Sequence, residues 1–282
     1  MNTLALPSGA SIPALGLGTW RMGESRAARA TELAALRSAI EMGYRLIDTA
    51  EMYGDGGAEE VVGQAVADAL RAGAVRRDEL FIVSKVYPHN ASRKGTAAAC
   101  DRTRKRLGLD QIDLYLLHWR GEYALADTAA AMHTLVDAGR IAHWGVSNFD
   151  VDDMRELMAV APNCAANQVY FSLGERGAQF ALLPWLRAQR MPLMAYSPID
   201  QGVLARHKAL AAIGEALALT AAQTALAWVL SQPGVVAIPK ATKTEHLRDN
   251  LAVADLRLEP EILRRIDRLL PPPTRKLALA MI

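Results

Sequence analysis

Short apolar runs alternate along the chain with longer segments in which apolar residues recur every three or four positions. The short runs are typical of buried strands, and the longer period is typical of helices packed by one face. Predicted strands cover residues 14–18, 45–48, 81–86, 114–118, 143–146, 166–169, 193–196 and 235–238. Predicted helices cover residues 29–42, 58–70, 97–107, 128–138, 151–160, 178–190, 220–231 and 261–270, with Thr220 as a helix N-cap.

This alternation predicts an α/β fold. Strands that alternate with helices form a parallel sheet covered on both faces, and eight of them suit a closed (β/α)8 TIM barrel. Residues 4–12, with Pro7 to Gly9 in the middle, predict a β-hairpin plugging the bottom of the barrel. The alternative is an open doubly wound sheet, but no predicted strand is followed by a glycine-rich dinucleotide motif or a Walker sequence. Residues 1–282 are expected to form a single domain.

Composition narrows the class of protein. The chain has 282 residues, of which 51% are hydrophobic, as expected for one large domain that needs no disulfide or structural metal to hold its core. Cys100 and Cys164 are too few for a disulfide framework, and the first residues lack the features of a secretory signal. We therefore expect a reducing, cytoplasmic location.

Charge and hydropathy argue against nucleic-acid and membrane partners. The formal net charge is +2, too small for an electrostatic footprint on nucleic acid. The basic residues within 102–106 are interpreted as a solvated helix face. Residues 209–230 are strongly apolar, but Gly214 interrupts them and Glu215 lies within them, so they predict packed helices and not a membrane span.

Chemistry-bearing side chains stand at the ends of three consecutive predicted strands. These are Asp48, Lys85 and His118, and Tyr53 follows Asp48 by five residues. Because the carboxyl ends of barrel strands share one face, we expect the four side chains to meet there. Each has a structural alternative when taken alone: an ion pair for Asp48 and Lys85, packing for Tyr53, a satisfied core histidine for His118. Together, four proton-handling groups favour catalysis.

Longer segments resemble the signatures of the aldo-keto reductase family. Residues 43–50, followed by Tyr53 and Gly54, are similar to the first signature. Further similar segments follow in the family's order at residues 82–85, 114–119, 145–149, 167–168, 195–198 and 238–240. The resemblance spans nearly the whole chain. It implies hydride transfer from NADPH to aldehydes and some ketones, with bacterial reductases of small aldehydes such as methylglyoxal as the most similar members.

The resemblance implies a role for each of the four residues. Tyr53 would donate the proton to the carbonyl oxygen, because an acid must be positioned there at neutral pH. A free phenol has a pKa of about 10, so the Lys85 cation would help by stabilising the phenolate. Asp48 would hold Lys85 charged, and a neutral His118 would orient the carbonyl oxygen.

The resemblance also implies a nucleotide site. The nicotinamide would stack on Tyr196, and the loop after that residue would hold the diphosphate. A helix cap is the structural alternative for Ser147 and Asn148. The cofactor residues implied are Gly18, Thr19, Trp20, Asp48, Ser147, Asn148, Gln168, Tyr196, Ser197, Pro198, Ile199, Gln201, Gly202, Ile238, Pro239, Lys240, Ala241, Thr242, His246, Asp249 and Asn250.

One part of the nucleotide site departs from the family pattern. Lys240 is placed to meet the adenosine 2′-phosphate, which favours NADPH over NADH. Relatives continue with serine and later arginine, whereas this chain has Ala241 and His246. Because histidines ordinarily titrate near pH 6.5, we expect the preference for NADPH to weaken as the pH rises through that region.

The substrate pocket implied by the resemblance is aromatic. Its members are Trp20, Tyr53, Tyr87, His118 and Trp119, with an ordinary packing role as the alternative for Tyr87. The short loop after His118 and the short tail at 271–282 suggest an open mouth and broad substrate tolerance.

Two other functions compete with a reductase. Some relatives keep the barrel and the nucleotide but serve as regulatory subunits of ion channels. A metal-dependent hydrolase or isomerase could use Asp48 and His118, although Lys85 would repel a divalent cation. We expect no metal, a small-molecule carbonyl substrate as the only partner, and a monomer.

Overall fold

Parallel strands form the centre of the molecule. The computed structural model describes residues 2–282, so residue 1 of the predicted domain lies outside the described residues. Strands β3 to β10 pair in sequence order, each parallel to the next. They are β3 (Leu17–Gly18), β4 (Leu46–Asp48), β5 (Phe81–Val86), β6 (Ile112–Leu117), β7 (Ile141–Ser147), β8 (Asn167–Tyr170), β9 (Leu193–Tyr196) and β10 (Val235–Ile238).

The sheet closes into a barrel between its first and last strands. Parallel bridges join Leu15 to Ala237 and Gly18 to Lys240. At this seam a Cβ on Gly18 would lie 2.8 Å from the carbonyl oxygen of Ile238, so only glycine permits the close approach. The closed barrel confirms the predicted fold class and excludes the open sheet.

Helices follow the strands along the outside of the barrel. They are α1 (Arg29–Met42), α2 (Gly57–Arg71), α3 (Arg93–Leu107), α4 (Leu125–Asp137), α5 (Val151–Val160), α6 (Leu182–Ala188), α7 (Lys208–Gly214), α8 (Ala221–Leu230), α9 (Thr244–Ala252) and α10 (Pro260–Leu269). Helix α6 begins later than predicted, because Gly177–Gln179 form a separate 3-10 turn. Helix α9 was not predicted, since only Leu247 and Asn250 of it are buried and its apolar stripe is narrow.

The N-cap residues of helices α8 and α5 test two predictions made from the sequence. Thr220 accepts a hydrogen bond from the backbone N–H of Gln223 at 3.2 Å, which confirms it as the N-cap of α8. Helix α5 is capped by Asp150, whose carboxylate accepts from the backbone N–H groups of Asp152 and Asp153 at 2.8 and 2.9 Å. The capping alternative for Ser147 and Asn148 was therefore wrong.

The N-terminal hairpin lies where the sequence predicted it. Strands β1 (Thr3–Ala5) and β2 (Ser11–Pro13) pair antiparallel. Leu6 and Ile12 are buried in one cluster with the apolar side chains of the barrel interior, among them Leu46 and Val236. The hairpin thus closes the end of the barrel opposite the strand carboxyl ends.

The basic residues of α3 do more than face solvent. Arg102 pairs with Glu51 at 3.4 Å, and Arg106 pairs with Glu59 at 3.0 Å. Both glutamates are buried, so a charged partner offsets the cost of removing them from water. Arg102 is still exposed and Arg106 half-buried, so the face is solvated as predicted and carries these two ion pairs in addition.

No single helix among residues 2–282 has the length and hydropathy of a membrane span. One pair, Lys208–Leu217 with Ala221–Leu230, meets those criteria of length and composition only when both parts are taken together across a 76° bend. Every residue of α8 except Ala222 is buried in the fold.

Candidate active site

The inner face of the barrel changes from apolar to polar toward the carboxyl ends of the strands. Side chains in a strand alternate between two faces, so Leu46 and Asp48 point the same way, as do Val83 and Lys85. The same alternation brings further polar or aromatic side chains to this layer: His118, Ser147, Gln168 and Tyr196. Strands β4 to β9 thus each bring one inward side chain, near or directly after the carboxyl end of the strand, to one site.

Lys85 is completely buried at the centre of this layer. Its Nζ donates to Asp48 Oδ2 at 2.7 Å, to the carbonyl oxygen of Thr49 at 2.8 Å and to Tyr53 Oη at 3.2 Å. An ammonium group has three N–H donors, and each has an acceptor here. The full set of partners makes a buried charge tolerable and fixes the position of Nζ beside the phenol.

Asp48 is fixed from its other side by Gln168. The Gln168 Nε2 donates to Asp48 Oδ1 at 2.7 Å across the barrel, while Oδ2 accepts from Lys85. Thr19 holds the backbone of the same residue, since its Oγ1 donates to the Asp48 carbonyl oxygen at 2.9 Å. The carboxylate therefore has one orientation, with both oxygens occupied.

Burial and charge compete at Tyr53. Burial raises the pKa of the phenol above its ordinary value of 10, and the nearby Lys85 ammonium only partly offsets that rise. For Lys85, burial opposes the charge, but Asp48 and Tyr53 outweigh it and raise the pKa above its ordinary value. Lys85 thus lowers the pKa of Tyr53, as the sequence predicted, but by less than burial raises it. At neutral pH the result is a protonated phenol beside a charged ammonium.

His118 is held in its neutral form. Burial, together with the Lys85 charge, lowers its pKa well below the ordinary value of 6.5. Its ring meets the edge of Tyr53 with centroids 5.8 Å apart. Its Nδ1 is buried without a hydrogen-bond partner among residues 2–282. A neutral imidazole beside the phenol can bind the oxygen of a carbonyl compound.

A cavity of about 710 Å³ opens over this layer, within the size range of ligand sites. It runs from the aromatic side chains near His118 to Lys240 and helix α9. The predicted cofactor residues that line it are Gly18, Trp20, Asp48, Ser147, Asn148, Gln168, Tyr196, Ser197, Pro198, Ile199, Gln201, Gly202, Ile238, Pro239, Lys240, His246, Asp249 and Asn250.

Other predicted cofactor residues lie outside the cavity lining. Thr19 is buried because its hydroxyl serves the Asp48 backbone. Ala241 is also buried, and Thr242 is half-buried at the start of the turn leading to α9. The side chains of these three residues do not reach the cavity. The family pattern includes them because their backbone lies next to residues that do.

The wall near Tyr53 is formed by Trp20, His118 and Trp119. Tyr87 stands behind this wall, with its ring perpendicular to that of Trp119 at 5.8 Å between centroids. The placement agrees with the packing alternative for Tyr87, which supports Trp119 from outside the cavity.

Sequence reasoning missed several lining residues. Arg21, Met52, Ala205, Ala222, Met281 and Ile282 line the cavity without belonging to the family segments recognised. Arg21 directly follows Trp20 and lies 4.4 Å from its ring centroid, so its position in the chain was a usable indication. Met281 and Ile282 had none.

The tail reaches the mouth because it is anchored on the barrel rim. Lys276 forms ion pairs with Asp150 at 3.2 Å and Asp152 at 2.5 Å, at the start of α5. Met281 and Ile282 then lie at the cavity. The tail therefore contributes two side chains to the cavity lining, which the sequence did not predict.

Hydrogen bonds fix the hydroxyl end of Tyr196. Its hydroxyl donates to Asn148 Oδ1 at 2.9 Å. The Asn148 Nδ2 in turn donates to the carbonyl oxygen of His118 at 3.1 Å and to Ser147 Oγ at 3.2 Å. One hydrogen-bond network therefore joins the hydroxyl of Tyr196, at the end of β9, to the backbone of His118, directly after β6.

Comparisons with known proteins agree with this geometry. A model of the aldo/keto reductase family matches residues 14–271. The methylglyoxal reductase YeaE of Escherichia coli is 47% identical over 279 residues, covering 96% of each chain, and the glyoxal reductase of Bacillus subtilis is 37% identical, covering 95% of this chain and 92% of that one. An aldo/keto reductase from Klebsiella pneumoniae, solved in complex with NADP and acetate, has a TM-score of 0.93 at 46% identity and covers 99% of both chains. The chain therefore belongs to the aldo/keto reductase family.

Proposed function

We propose that this protein reduces aldehydes, and some ketones, to alcohols with NADPH, and that small 2-oxoaldehydes such as methylglyoxal are its substrate class. The observation that carries the proposal is the Tyr53 hydroxyl, which faces the cavity with a buried, ion-paired ammonium 3.2 Å away. The relatives named methylglyoxal reductase and glyoxal reductase support the substrate class.

The cavity fits a nicotinamide dinucleotide. Tyr196 offers an aromatic face, and Ser147, Asn148 and Gln168 offer donors and acceptors for a carboxamide beside it. At the far end Lys240 and His246 supply groups suited to a phosphate. Two structures from Klebsiella pneumoniae with NADP or NADPH support the same cofactor.

Selection between NADPH and NADH rests on few groups here. Lys240 lines the cavity and is exposed, and His246 lines the same cavity at a position where the family resemblance implies arginine. Only NADPH carries the 2′-phosphate, so His246→Ala should weaken NADPH binding and leave NADH binding unchanged. Titration of both nucleotides with the parent and the variant tests this, and an unchanged ratio of dissociation constants would contradict it.

The residues of the site divide the chemistry of reduction. When bound, NADPH supplies the hydride. Tyr53 donates its proton to the carbonyl oxygen, and Lys85 stabilises the phenolate left behind. Asp48 keeps Lys85 charged, and neutral His118 holds the carbonyl oxygen next to the phenol. Trp20 and Trp119 exclude water from the reacting carbon.

No observation favours the competing functions. A regulatory subunit without turnover would not need a phenol placed 3.2 Å from a buried, ion-paired ammonium. A metal-dependent enzyme would need Asp48 free to bind the cation, but both of its oxygens are already held by Lys85 and Gln168.

Loss of NADPH absorbance with a panel of aldehydes, ketones and sugars tests the proposal. Methylglyoxal and glyoxal should give the highest kcat/KM, and NADH should be the poorer donor. Turnover confined to sugars would contradict the substrate class, and no turnover with any carbonyl compound would contradict the function.

We propose further that the protein is a cytoplasmic monomer that binds neither nucleic acid nor membrane. Both cysteines are free and buried, which supports a reducing compartment. Titration of two thiols after denaturation without reductant, and light scattering at the mass of one chain, are the expected results.

A further inference from the structure

The loop after β9 is held in an unfavourable backbone conformation. Ser197, Asp200 and Gln201 have φ values of 48°, 52° and 50°, in the left-handed region that non-glycine residues seldom adopt. Ser197 and Gln201 line the cavity, together with their neighbours in the loop. Such a conformation persists only when surrounding contacts impose it.

Tyr170 at the end of β8 supplies that contact. Its hydroxyl donates to Asp200 Oδ1, and the Asp200 carboxylate also packs against Gly174, where any Cβ would overlap it. Asp200 does not line the cavity although its neighbours Ile199 and Gln201 do. The carboxylate is therefore turned away from the space where a diphosphate would lie.

Tyr170 also supports the platform proposed for the nicotinamide. Its ring stacks on Tyr196 with centroids 5.7 Å apart and planes 14° from parallel. The other end of Tyr196 is fixed by its hydrogen bond to Asn148. Tyr170 thus contacts both the aromatic platform and, through Asp200, the strained loop.

We propose that Tyr170 and Asp200 are positioning residues that hold the loop of residues 197–202 in the form that binds the dinucleotide. This inference rests on the proposed function. A loop already ordered before binding avoids the entropic cost of ordering it on the ligand, so the pair raises affinity for NADPH without touching it. The ring of Tyr170 serves the platform, and its hydroxyl serves the loop.

A Tyr170→Phe variant separates these two contributions, because it keeps the stacked ring and removes the hydroxyl. Fluorescence titration should show NADPH bound on the order of tenfold more weakly, the ratio that corresponds to about 1.4 kcal/mol. The KM for NADPH should rise in parallel. The kcat for methylglyoxal at saturating NADPH should stay within about twofold of the parent, because the Tyr53 site is unchanged.

Two further substitutions distinguish positioning from general stability. Asp200→Ala should weaken NADPH binding as much as Tyr170→Phe, whereas Asp200→Asn keeps an acceptor oxygen and should restore most of the affinity. Tyr115→Phe is the matched control, since Tyr115 is also a buried strand tyrosine but does not line the cavity or contact the loop of residues 197–202. Its NADPH dissociation constant should not change.

The inference is overturned if folded Tyr170→Phe binds NADPH as tightly as the parent. If that variant does not fold, equal affinities of Asp200→Ala and Asp200→Asn overturn it instead. Failure of the proposed function gives a different result, in which the parent protein itself neither binds NADPH nor reduces any aldehyde.

Discussion

At the scale of single residues, the site depends on a buried charge with every partner in place. Lys85 has no exposed surface and three acceptors, one of which is the reacting hydroxyl of Tyr53. Removing one partner of a buried ion pair costs about 3–5 kcal/mol, whereas removing a neutral hydroxyl at its edge costs far less. Tyr53 can therefore be tested for catalysis without dismantling the fold.

Tyr53→Phe is expected to lower kcat/KM for methylglyoxal by a factor on the order of 10²–10⁴, the usual contribution of a general acid. Lys85 keeps Asp48 and the Thr49 carbonyl as partners, so the melting temperature and the NADPH dissociation constant should change little. Tyr123→Phe, on an exposed tyrosine, is the control. Turnover equal to the parent would remove Tyr53 from the mechanism.

The neutral state of His118 makes folding stability depend on pH. Its pKa is lowered well below 6.5 in the folded protein, so between that value and 6.5 the unfolded chain binds one more proton. Stability is therefore complete above pH 6.5 and falls as the pH drops below it.

For the parent protein without nucleotide, this histidine should lower the free energy of unfolding by on the order of 1 kcal/mol between pH 7.5 and pH 5.5. His118→Gln should reduce the pH-dependent loss by that amount. Urea unfolding of both proteins at the two pH values provides the measurement. Equal losses in both would show that His118 is not held neutral.

At the scale of elements, two loops are packed backbone against backbone beneath the site. Gly23, with φ of 74°, follows Trp20 and Arg21, and the turn after Tyr53 passes so close that a Cβ on Gly54 would lie 2.7 Å from the Gly23 backbone. The Gly23 N–H donates to Glu32 Oε2 at 3.0 Å and so anchors the loop on α1. The loops carrying Trp20 and Tyr53 therefore cannot shift independently.

Gly23→Ala should disturb this packing, because a Cβ there would overlap the backbone at Gly57 and Ala58. We expect kcat/KM for methylglyoxal to fall by about tenfold or more, since a small displacement of a catalytic group has effects of this order. Gly73→Ala is the matched control: its φ is also positive, at 67°, but a Cβ there meets nothing within 4 Å. The same loss of kcat/KM in both variants would attribute the effect to backbone strain alone.

At the scale of the whole molecule, the cavity joins strands from both halves of the barrel. Its lining extends from Gly18 in β3 to Asn250 in α9. A ligand that spans these elements binds only the folded chain, so it must stabilise the whole barrel.

NADPH at one hundred times its dissociation constant should stabilise the fold by about 2.7 kcal/mol and raise the melting temperature accordingly. Lys240→Met should reduce the shift caused by a fixed NADPH concentration and leave the shift caused by NADH unchanged, because only NADPH carries the 2′-phosphate. Lys243→Met, on an exposed lysine outside the cavity lining, is the control. Equal loss of both shifts would place Lys240 elsewhere on the nucleotide.

The barrel could be predicted from the sequence because the spacing of apolar residues and the turn residues between elements are local properties of the chain. The boundaries of α1 and α5 agree with prediction to the residue, since a regular apolar stripe defines each helix. Helix α9 was not predicted because few of its side chains are buried, although the family pattern had indicated His246 and Asn250 as cofactor residues within it. The position of the tail at the cavity was not predicted either. It depends on an ion pair between Lys276 and Asp150, which are distant in the sequence.

The sequence by itself determined that strands and helices alternate, and therefore that Asp48, Lys85 and His118 end on one face. Only the tertiary structure decided which atoms meet there, such as Gln168 and Asp48, 120 residues apart. It also decided that the pKa of Tyr53 lies above that of a free phenol, since burial depends on all neighbours at once and here outweighs the single cation beside it. The pattern of apolar residues is a property of neighbouring positions in the chain. Burial of the site residues and contacts between distant residues arise only when the barrel closes.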